Sequence, residues 1–280
     1  MRTASSPTVS IVICSIDHAK FHRVCDRYRT LYTGRSVEIV GIHDARSLAE
    51  GYERGIAQTK GEVLILSHDD IDVLTPDFAA RVAHHLAGND LIGVAGTTRL
   101  VEGRWAAAGD PYVYALMSSP LPEGGYGTML LGGGPLVVPG VQALDGVLLA
   151  MQRRVFAAVG FDAAVFDHFH LYDLDFSFRA YRAGFKLAVC RDIVLIHEST
   201  GRYDAVWREY KRRFDLKHRE HLLADWKAKE GARASFSSST REDILRKCAP
   251  VELARIAARA RELGSLGFAF ARLDASRQRP

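Results

Sequence analysis

The residues of this chain that could do chemistry gather where an apolar run stops on carboxylates. Residues 62–70 read Glu-Val-Leu-Ile-Leu-Ser-His-Asp-Asp, so a stretch of strand length ends at Asp69 and Asp70. Open α/β sheets bind their ligands at the carboxyl ends of the strands. Two adjacent carboxylates repel each other, and a divalent cation, often followed by a phosphate, relieves that repulsion. The alternative is an Asp-rich turn, because Asp72 and Asp77 also suit turns and helix caps.

Two more polar clusters follow predicted strands upstream. Ser15 and Asp17 come after the apolar strand Val9–Cys14, and Asp44 comes after the strand Val37–Ile42. The carboxyl ends of parallel strands meet at one edge of a sheet, so these side chains are expected in the same crevice as the first cluster.

The chain lacks the two glycine motifs that most often hold phosphates. No Gly-x-Gly-x-x-Gly follows the first strand, which argues against a nicotinamide or flavin dinucleotide site. No Gly-x-x-x-x-Gly-Lys-Ser/Thr is present, which argues against a P-loop ATPase. A nucleotide at this sheet edge is therefore expected to be held by carboxylates and a metal ion.

A second group of acids lies later in the chain. Asp173 and Asp175 are two residues apart near a predicted helix start, so they project about 200° apart and cannot both face one ligand. We expect Asp175 to cap the helix or to pair with Arg179 at i+4, and Asp173 to face the cleft. His197, which ends an apolar run, is a metal ligand only if it meets Asp70 in space; otherwise it is a packed, hydrogen-bonded residue.

The elements that must position these residues alternate between strands and helices. Four apolar strands are predicted, at Val9–Cys14, Val37–Ile42, 62–66 and 91–95, and helices of 3.6-residue period separate them. This βαβαβαβ order predicts an α/β fold with a largely parallel, doubly wound sheet flanked by helices.

The second half of the chain is predicted to be less regular. Glycine and proline punctuate residues 96–140, which indicates loops and hairpins that serve either as a lid or as a surface excursion. Strands follow at 141–151 and 185–196. Beyond them the pattern predicts helices at 203–230 and 252–263, separated by a Ser-rich break at 234–240.

Length and charge limit the classes of protein further. The 280 residues suit one large α/β domain with a helical appendage. Residues 201–280 carry 19 Lys/Arg against 11 Asp/Glu, whereas the front of the chain is acidic, which does not suit a nucleic-acid binder. The basic tail is compatible with an anionic membrane surface, an acidic partner or a solvated face.

The spacing of the cysteines and the search for targeting segments bear on where the protein is located. The four cysteines show no Cys-x-x-Cys spacing, so a zinc knuckle or a redox dithiol is not expected. No signal peptide and no stretch of bilayer length is recognisable. We expect a cytoplasmic protein, with peripheral contact at the inner face of a membrane as one option.

The order of the motifs resembles that of the family 2 glycosyltransferases of GT-A fold, over residues 8–200. The shared landmarks are Asp44, the His-Asp-Asp run, Leu-Asp-Gly-x-x-Leu-Ala, Tyr-Asp-x-Asp-Phe-Ser-Phe-Arg and Ile-His-Glu-Ser. More narrowly, the chain is similar to the branch typified by a streptomycin-cluster protein, which has a His-x-Asp form of the metal motif. The resemblance implies a GT-A domain at 1–200, with a nucleotide-binding half at 1–100 and an acceptor and catalytic half at 101–200. A basic helical extension would follow at 201–280.

The resemblance also implies a donor side to the site. It would place Ser15 and Asp17 beside the nucleotide and Asp44 on the base. The helix start that contains Gly51 and Tyr52 would line the ribose side.

On the catalytic side, the resemblance assigns one role to each of the remaining acidic landmarks. Asp69 would approach the ribose or the sugar, and Asp70 and His197 would bind the metal. Asp145 and Gly146 would border the donor sugar and the acceptor. Asp173 would be the catalytic base.

Two residues depart from the family pattern. Tyr172 replaces the glutamate that commonly precedes the base, and Glu53 stands where the family often has asparagine. At these positions the chain therefore has neither the acid that neighbours the family's base nor the family's asparagine.

The expected activity is that of an inverting, hexosyltransferase-type enzyme of polysaccharide biosynthesis. It would use Mn²⁺ or Mg²⁺ and a nucleoside-diphosphate sugar, and its acceptor would be a glycan, a lipid-linked glycan or a small molecule. The basic C-terminal helices would offer peripheral membrane contact or a homodimer interface. Two alternatives stay open: a nucleotidyltransferase acting on a sugar phosphate, and a non-catalytic scaffold of the same fold.

Overall fold

Alternating apolar runs and amphipathic helices build the N-terminal part of the protein. The structure is a computed structural model that describes residues 8–199, 201, 203–223, 226–227 and 233–264. In chain order the first elements are β1 Val9–Cys14, α1 His18–Leu31, β2 Val37–Ile42, α2 Leu48–Ala57, β3 Val63–Ser67, β4 Ile71–Val73, α3 Phe78–Leu86, β5 Leu91–Gly93 and β6 Ala95–Thr97.

The rest of the chain contributes short strands and five helices. After a 3-10 turn at Trp105–Ala108, the elements are β7 Val113–Pro120, β8 Tyr126–Leu131, β9 Val137–Pro139, β10 Ala143–Leu144, β11 Leu148–Gln152, α4 Arg153–Val159, α5 Tyr172–Arg182, β12 Leu187–Cys190, β13 Leu195–His197, α6 Ala205–His218, β14 Arg233–Ser238, α7 Arg241–Lys247 and α8 Pro250–Gly264.

The first sheet has the strand order β2-β1-β3-β11-β5-β12-β9. Five of its seven strands run in one direction, because β1 is parallel to β2 and β3, β12 is parallel to β5, and β11 lies antiparallel between β3 and β5. Helices cover the sheet. The predicted fold class, an α/β fold with a mostly parallel central sheet flanked by helices, is confirmed.

A second, mixed sheet has the order β10-β6-β7-β13-β4, and β8 joins β7 to β14. Its antiparallel β7–β8 hairpin lies inside the segment predicted to form loops and hairpins. The apolar runs predicted as single strands at 91–95, 141–151 and 185–196 are each divided between two strands. In the first of these, β5 belongs to the first sheet and β6 to the second, and both are buried, so hydropathy alone does not mark the change of sheet.

The C-terminal segment is only partly helical. α6 ends at His218, whereas the sequence predicted a helix over 203–230; the part of that prediction at 224–225 and 228–230 lies outside the described residues. The Ser-rich segment predicted as a break forms β14, because Ala234 and Phe236 alternate inward and pack in a core with β8 neighbours. Residues 265–280 of the predicted extension also lie outside the described residues. Within the described part, no helix is both long and apolar enough to cross a bilayer.

Candidate active site

Three potential metal ligands meet where β3 and β13 end and β4 begins. The Nε2 atom of His197 lies 3.3 Å from Oδ1 of Asp70, and the Nδ1 atom of His68 lies 3.8 Å from the same oxygen. β13 pairs with β4 in antiparallel register, and the backbone N–H of Glu198 donates to the carbonyl of Asp70 at 2.9 Å. Sheet pairing thus brings together residues that are more than a hundred positions apart in sequence.

The ionisable groups of this cluster shift one another's pKa values. Burial alone would raise the pKa of Asp70, but the hydrogen bond and the charge of His197 lower it well below its ordinary value. Burial, and then the charge of His197, lower the pKa of His68, so its imidazole stays neutral and can donate a lone pair. Burial would lower the pKa of His197 as well, but the hydrogen bond that His197 donates to Asp70, and the charge of Asp70, raise it.

One histidine-carboxylate-histidine set suits a divalent ion chemically. The ligand atoms of His68, Asp70 and His197 all lie within 4.8 Å of one another. Imidazole nitrogen with carboxylate oxygen is acceptable coordination for Mn²⁺ and similar ions. The residues present therefore fit the divalent cation that the sequence predicted.

The predicted base lies at the first turn of α5, beside a glycine. The backbone N–H of Gly146 donates to Oδ2 of Asp173 at 2.6 Å. A Cβ atom at position 146 would lie 2.7 Å from Cβ of Asp173 and 2.5 Å from the hydroxyl of Tyr172, so only glycine allows this approach. Leu171, the residue before the helix, has a φ of 63°, a left-handed conformation that is costly for a leucine. Such strain is often stored where the direction of a functional side chain must be fixed.

The surroundings of Asp173 raise the pKa of its carboxyl. Burial first, and then the negative charge of Asp145, raise the pKa of Asp173 from its ordinary 3.8 to about 7. A carboxyl with a pKa near neutrality is suited to general base catalysis at physiological pH. Asp145 itself is fixed by two hydrogen bonds, from Nε1 of Trp105 at 2.8 Å and from the backbone N–H of Val147 at 3.0 Å.

Asp145 links the two halves of the site. Its charge acts on the pKa of His68 and of His197 as well as on that of Asp173. A second link is the hydroxyl of Tyr172, which lies 3.4 Å from Nε2 of His68. The metal-ligand cluster and the predicted base are therefore close neighbours.

The residues predicted on the donor side each make contacts of their own. Ser15 donates to Oδ2 of Asp69 at 2.6 Å, so these two side chains meet at the ends of β1 and β3. Asp17 is the N-cap of α1 and accepts from the backbone N–H groups of Ala19 and Lys20. Asp44 is exposed and pairs with Arg54 at 2.8 Å.

Two further residues predicted on the ribose side lie beneath the cleft. Gly51 packs α2 against the sheet, since a Cβ there would be 2.6 Å from Sγ of Cys14. Tyr52 is fully buried and donates to the carbonyl of Ser67 at 3.1 Å. Glu53 accepts from the backbone N–H of Phe161 at 3.2 Å, so its carboxylate braces the segment before α5.

Asp175 behaves as the helical spacing predicted. It is fully buried and pairs with Arg179 at i+4 at 2.8 Å, and with Lys217 and His218 of α6 at 2.7 and 2.8 Å. The pair two residues apart is thus divided: Asp173 faces the cleft and Asp175 fastens α5 to α6.

Two residues of the site were not identified from the sequence. His68 gave a usable signal, because it forms the His-x-Asp spacing with Asp70, although Asp69 and Asp70 lie in a turn after β3. Trp105 gave none, since it lies in the irregular segment after β6, and only the folded chain brings its indole to Asp145.

Solved structures that resemble this chain include three of low sequence identity. They are the mannosyltransferase PcManGT from Pyrobaculum calidifontis in complex with GDP-Man and Mn²⁺ (TM-score 0.49, 12% identity, 95% of this chain and 77% of that one), GalNAc-T7 with UDP, GalNAc and Mn²⁺ (0.41, 14%, 70% and 44%), and A197 from STIV (0.34, 12%, 70% and 97%).

Comparison with curated protein sequences gives no match. A family model, described as "Glycosyltransferase like family", matches residues 10–221. This match spans the candidate cleft and most of the described residues, including every predicted donor-side, metal-binding and catalytic position. The chain therefore belongs to the glycosyltransferase-like family.

Proposed function

We propose that this chain is a metal-dependent, inverting glycosyltransferase that moves a sugar from a nucleoside-diphosphate sugar to an acceptor hydroxyl. The observation that supports this most directly is the convergence of Asp70, His197 and Asp173 on one cleft, linked through Asp145. A cation site beside a carboxylate with a pKa near 7 suits transfer from a diphosphate leaving group to a hydroxyl.

The residues of the cleft then have distinct tasks. His68, Asp70 and His197 would hold the divalent cation. When bound, that ion supplies positive charge for the diphosphate leaving group. Asp69, fixed by Ser15, would approach the ribose or the sugar from the end of β3.

Asp173 would take the proton of the acceptor hydroxyl as the oxygen attacks the anomeric carbon. The Gly146 N–H donates to Oδ2 of Asp173 and so orients the carboxylate that would accept the proton. Attack from the face opposite the leaving group inverts the anomeric configuration, which is why one base suffices. Asp44, which is exposed and pairs with Arg54, is proposed to contact the base of the nucleotide.

The remaining features are part of the same proposal. The acceptor is a glycan, a lipid-linked glycan or a small molecule, and the basic C-terminal segment contributes membrane contact or a dimer interface. We retain a cytoplasmic location and the narrower streptomycin-cluster-protein branch as predictions. Tyr172 and Glu53 take on local structural contacts in place of the family residues, and both contacts leave the cleft intact.

The decisive experiment is a donor screen. Nucleoside diphosphate release from a panel of nucleoside-diphosphate sugars is measured with Mn²⁺ and with EDTA, on the wild type and on Asp173→Asn. We expect Mn²⁺-dependent release that falls by about 10²–10⁴-fold in the variant, because general base catalysis contributes that much. Calorimetry should show donor binding nearly unchanged, since asparagine has the same shape.

Asp26→Asn is the matched control, because Asp26 is 73% exposed and pairs only with Arg29 in the same helix. Full turnover in Asp173→Asn would refute the role of the base. Pyrophosphate release from a nucleoside triphosphate and a sugar phosphate would instead identify a nucleotidyltransferase. A protein that shows no metal-dependent heat with any nucleoside diphosphate would be a scaffold.

A further inference from the structure

The hydroxyl of Tyr172 lies between the metal cluster and the base. Tyr172 is 3% exposed, its oxygen is 3.4 Å from Nε2 of His68, and the next residue in the chain is Asp173. This is the position at which the resemblance leads one to expect a glutamate. The substitution therefore places a neutral phenol where an acid was expected.

The two nitrogens of His68 have different neighbours. Nδ1 faces Oδ1 of Asp70 at 3.8 Å, whereas Nε2 faces the hydroxyl of Tyr172. A neutral imidazole carries its proton on one nitrogen only and offers a lone pair on the other. When a histidine binds a metal, a partner that accepts its other N–H fixes both the tautomer and the ring orientation.

The packing leaves the Tyr172 hydroxyl little freedom. Its ring contacts those of Tyr52 and Phe161, with centroids 5.7 and 5.8 Å away. At Gly146 there is room for the hydroxyl only because no side chain is present. Burial raises the pKa of Tyr172 well above its ordinary value, so it remains a phenol at physiological pH.

The backbone of His68 is anchored separately from its ring. The hydroxyl of Tyr28 donates to Oγ of Ser67 at 2.9 Å, and that Oγ donates to the carbonyl of His68 at 2.8 Å. Tyr28 and Tyr172 are thus two buried tyrosines that serve the same residue at different points. Of these two hydroxyls, that of Tyr172 is the one that lies against the imidazole, 3.4 Å from Nε2.

We propose that Tyr172 is a positioning residue: it accepts the Nε2–H of His68 and thereby directs the Nδ1 lone pair toward the cation beside Asp70. This inference rests on the proposed metal-dependent function and adds a specific element to it. Because Tyr172 adjoins Asp173 and packs over Gly146, the same side chain keeps the metal site in register with the base.

The test is metal affinity, not activity. Mn²⁺ alone is titrated into the full chain, and the free-ion EPR signal gives the Kd for the wild type, Tyr172→Phe and Tyr28→Phe. We expect Tyr172→Phe to weaken Mn²⁺ binding by about 10-fold or more, the usual effect of losing a partner of a ligating histidine. Tyr28→Phe removes an equally buried hydroxyl and should leave the Kd within about twofold of the wild type.

A double-mutant cycle separates positioning from a general structural effect. In a His68→Ala background, Tyr172→Phe should cause no further loss of Mn²⁺ affinity, because the ring that it orients is gone. If Tyr172→Phe weakens binding equally in both backgrounds, or binds Mn²⁺ like the wild type, the inference is wrong while the proposed function stands. If the wild type binds no Mn²⁺, the metal site and this inference fall together.

Discussion

Replacing the base should stabilise the metal-free protein while it abolishes transfer. Asp173 is a carboxyl that burial and the neighbouring Asp145 hold against ionisation, so that its pKa is about 7 in the folded chain. In the unfolded chain it would return to about 3.8, the ordinary value. The folded state therefore binds this proton more tightly than the unfolded state. Asparagine keeps the shape of the side chain and does not titrate.

The magnitude follows from that difference in pKa. The contribution of Asp173 to the free energy of unfolding is fully present below about pH 4, and it falls by about 1.4 kcal/mol per pH unit as the pH rises toward 7. The total loss is roughly 4 kcal/mol, as an upper limit. The stability of Asp173→Asn relative to the wild type should therefore grow by up to that amount between pH 4 and pH 8.

The assay is urea unfolding of both proteins in EDTA at pH 4, 5, 6, 7 and 8, read by circular dichroism. Asp26→Asn, on the exposed face of α1, is the matched control for the same change of residue type at the surface. Parallel pH profiles for Asp173→Asn and the wild type would show that Asp173 ionises normally. The assignment of Asp173 as a base with a raised pKa would then be refuted.

Two further substitutions test the geometry of the cleft and its support. Gly146→Ala should lower kcat for donor turnover by about 100-fold, because the new Cβ would displace Asp173. Gly88→Ala is the control and should leave kcat unchanged, since a Cβ at that position would meet no atom within 4 Å. A fully active Gly146→Ala would contradict the close approach of Gly146 and Asp173. Asp175→Asn should reduce the free energy of unfolding by about 3 kcal/mol, because Arg179, Lys217 and His218 lose a buried counter-charge. A loss below about 1 kcal/mol in urea unfolding would show that this network contributes little to stability.

Local sequence pattern was enough to predict the polar edge of the sheet and the different orientations of Asp173 and Asp175 in α5. Apolar strands that stop on polar residues indicate where a parallel sheet opens, and Ser15 and Asp69 do meet there. Helical spacing alone predicted that Asp173 and Asp175 would point in different directions, with Asp175 either capping the helix or pairing with Arg179; the structure shows the pair with Arg179. Both signals are short-range, since they depend on the period of one element.

Local sequence pattern could not predict where the chain passes from one sheet to the other. The run at 91–95 is apolar throughout because both β5 and β6 are buried, so nothing in its composition shows that the chain leaves one sheet for the other. The same holds for β14, whose serines suggest a loop. Its strand character comes from pairing with β8, which supplies partners for its backbone.

By itself, the sequence determined the α/β class, the acidic sheet edge and the candidates for base and metal ligands, because periodicity and residue type are local properties of the chain. Only the tertiary structure decided which candidates meet: that His197 reaches Asp70, that His68 joins them, and that Gly146 and Asp145 adjust the pKa and position of Asp173. Those relations depend on distances between residues far apart in sequence. Strand pairing and burial fix such distances, and no window of the sequence contains them.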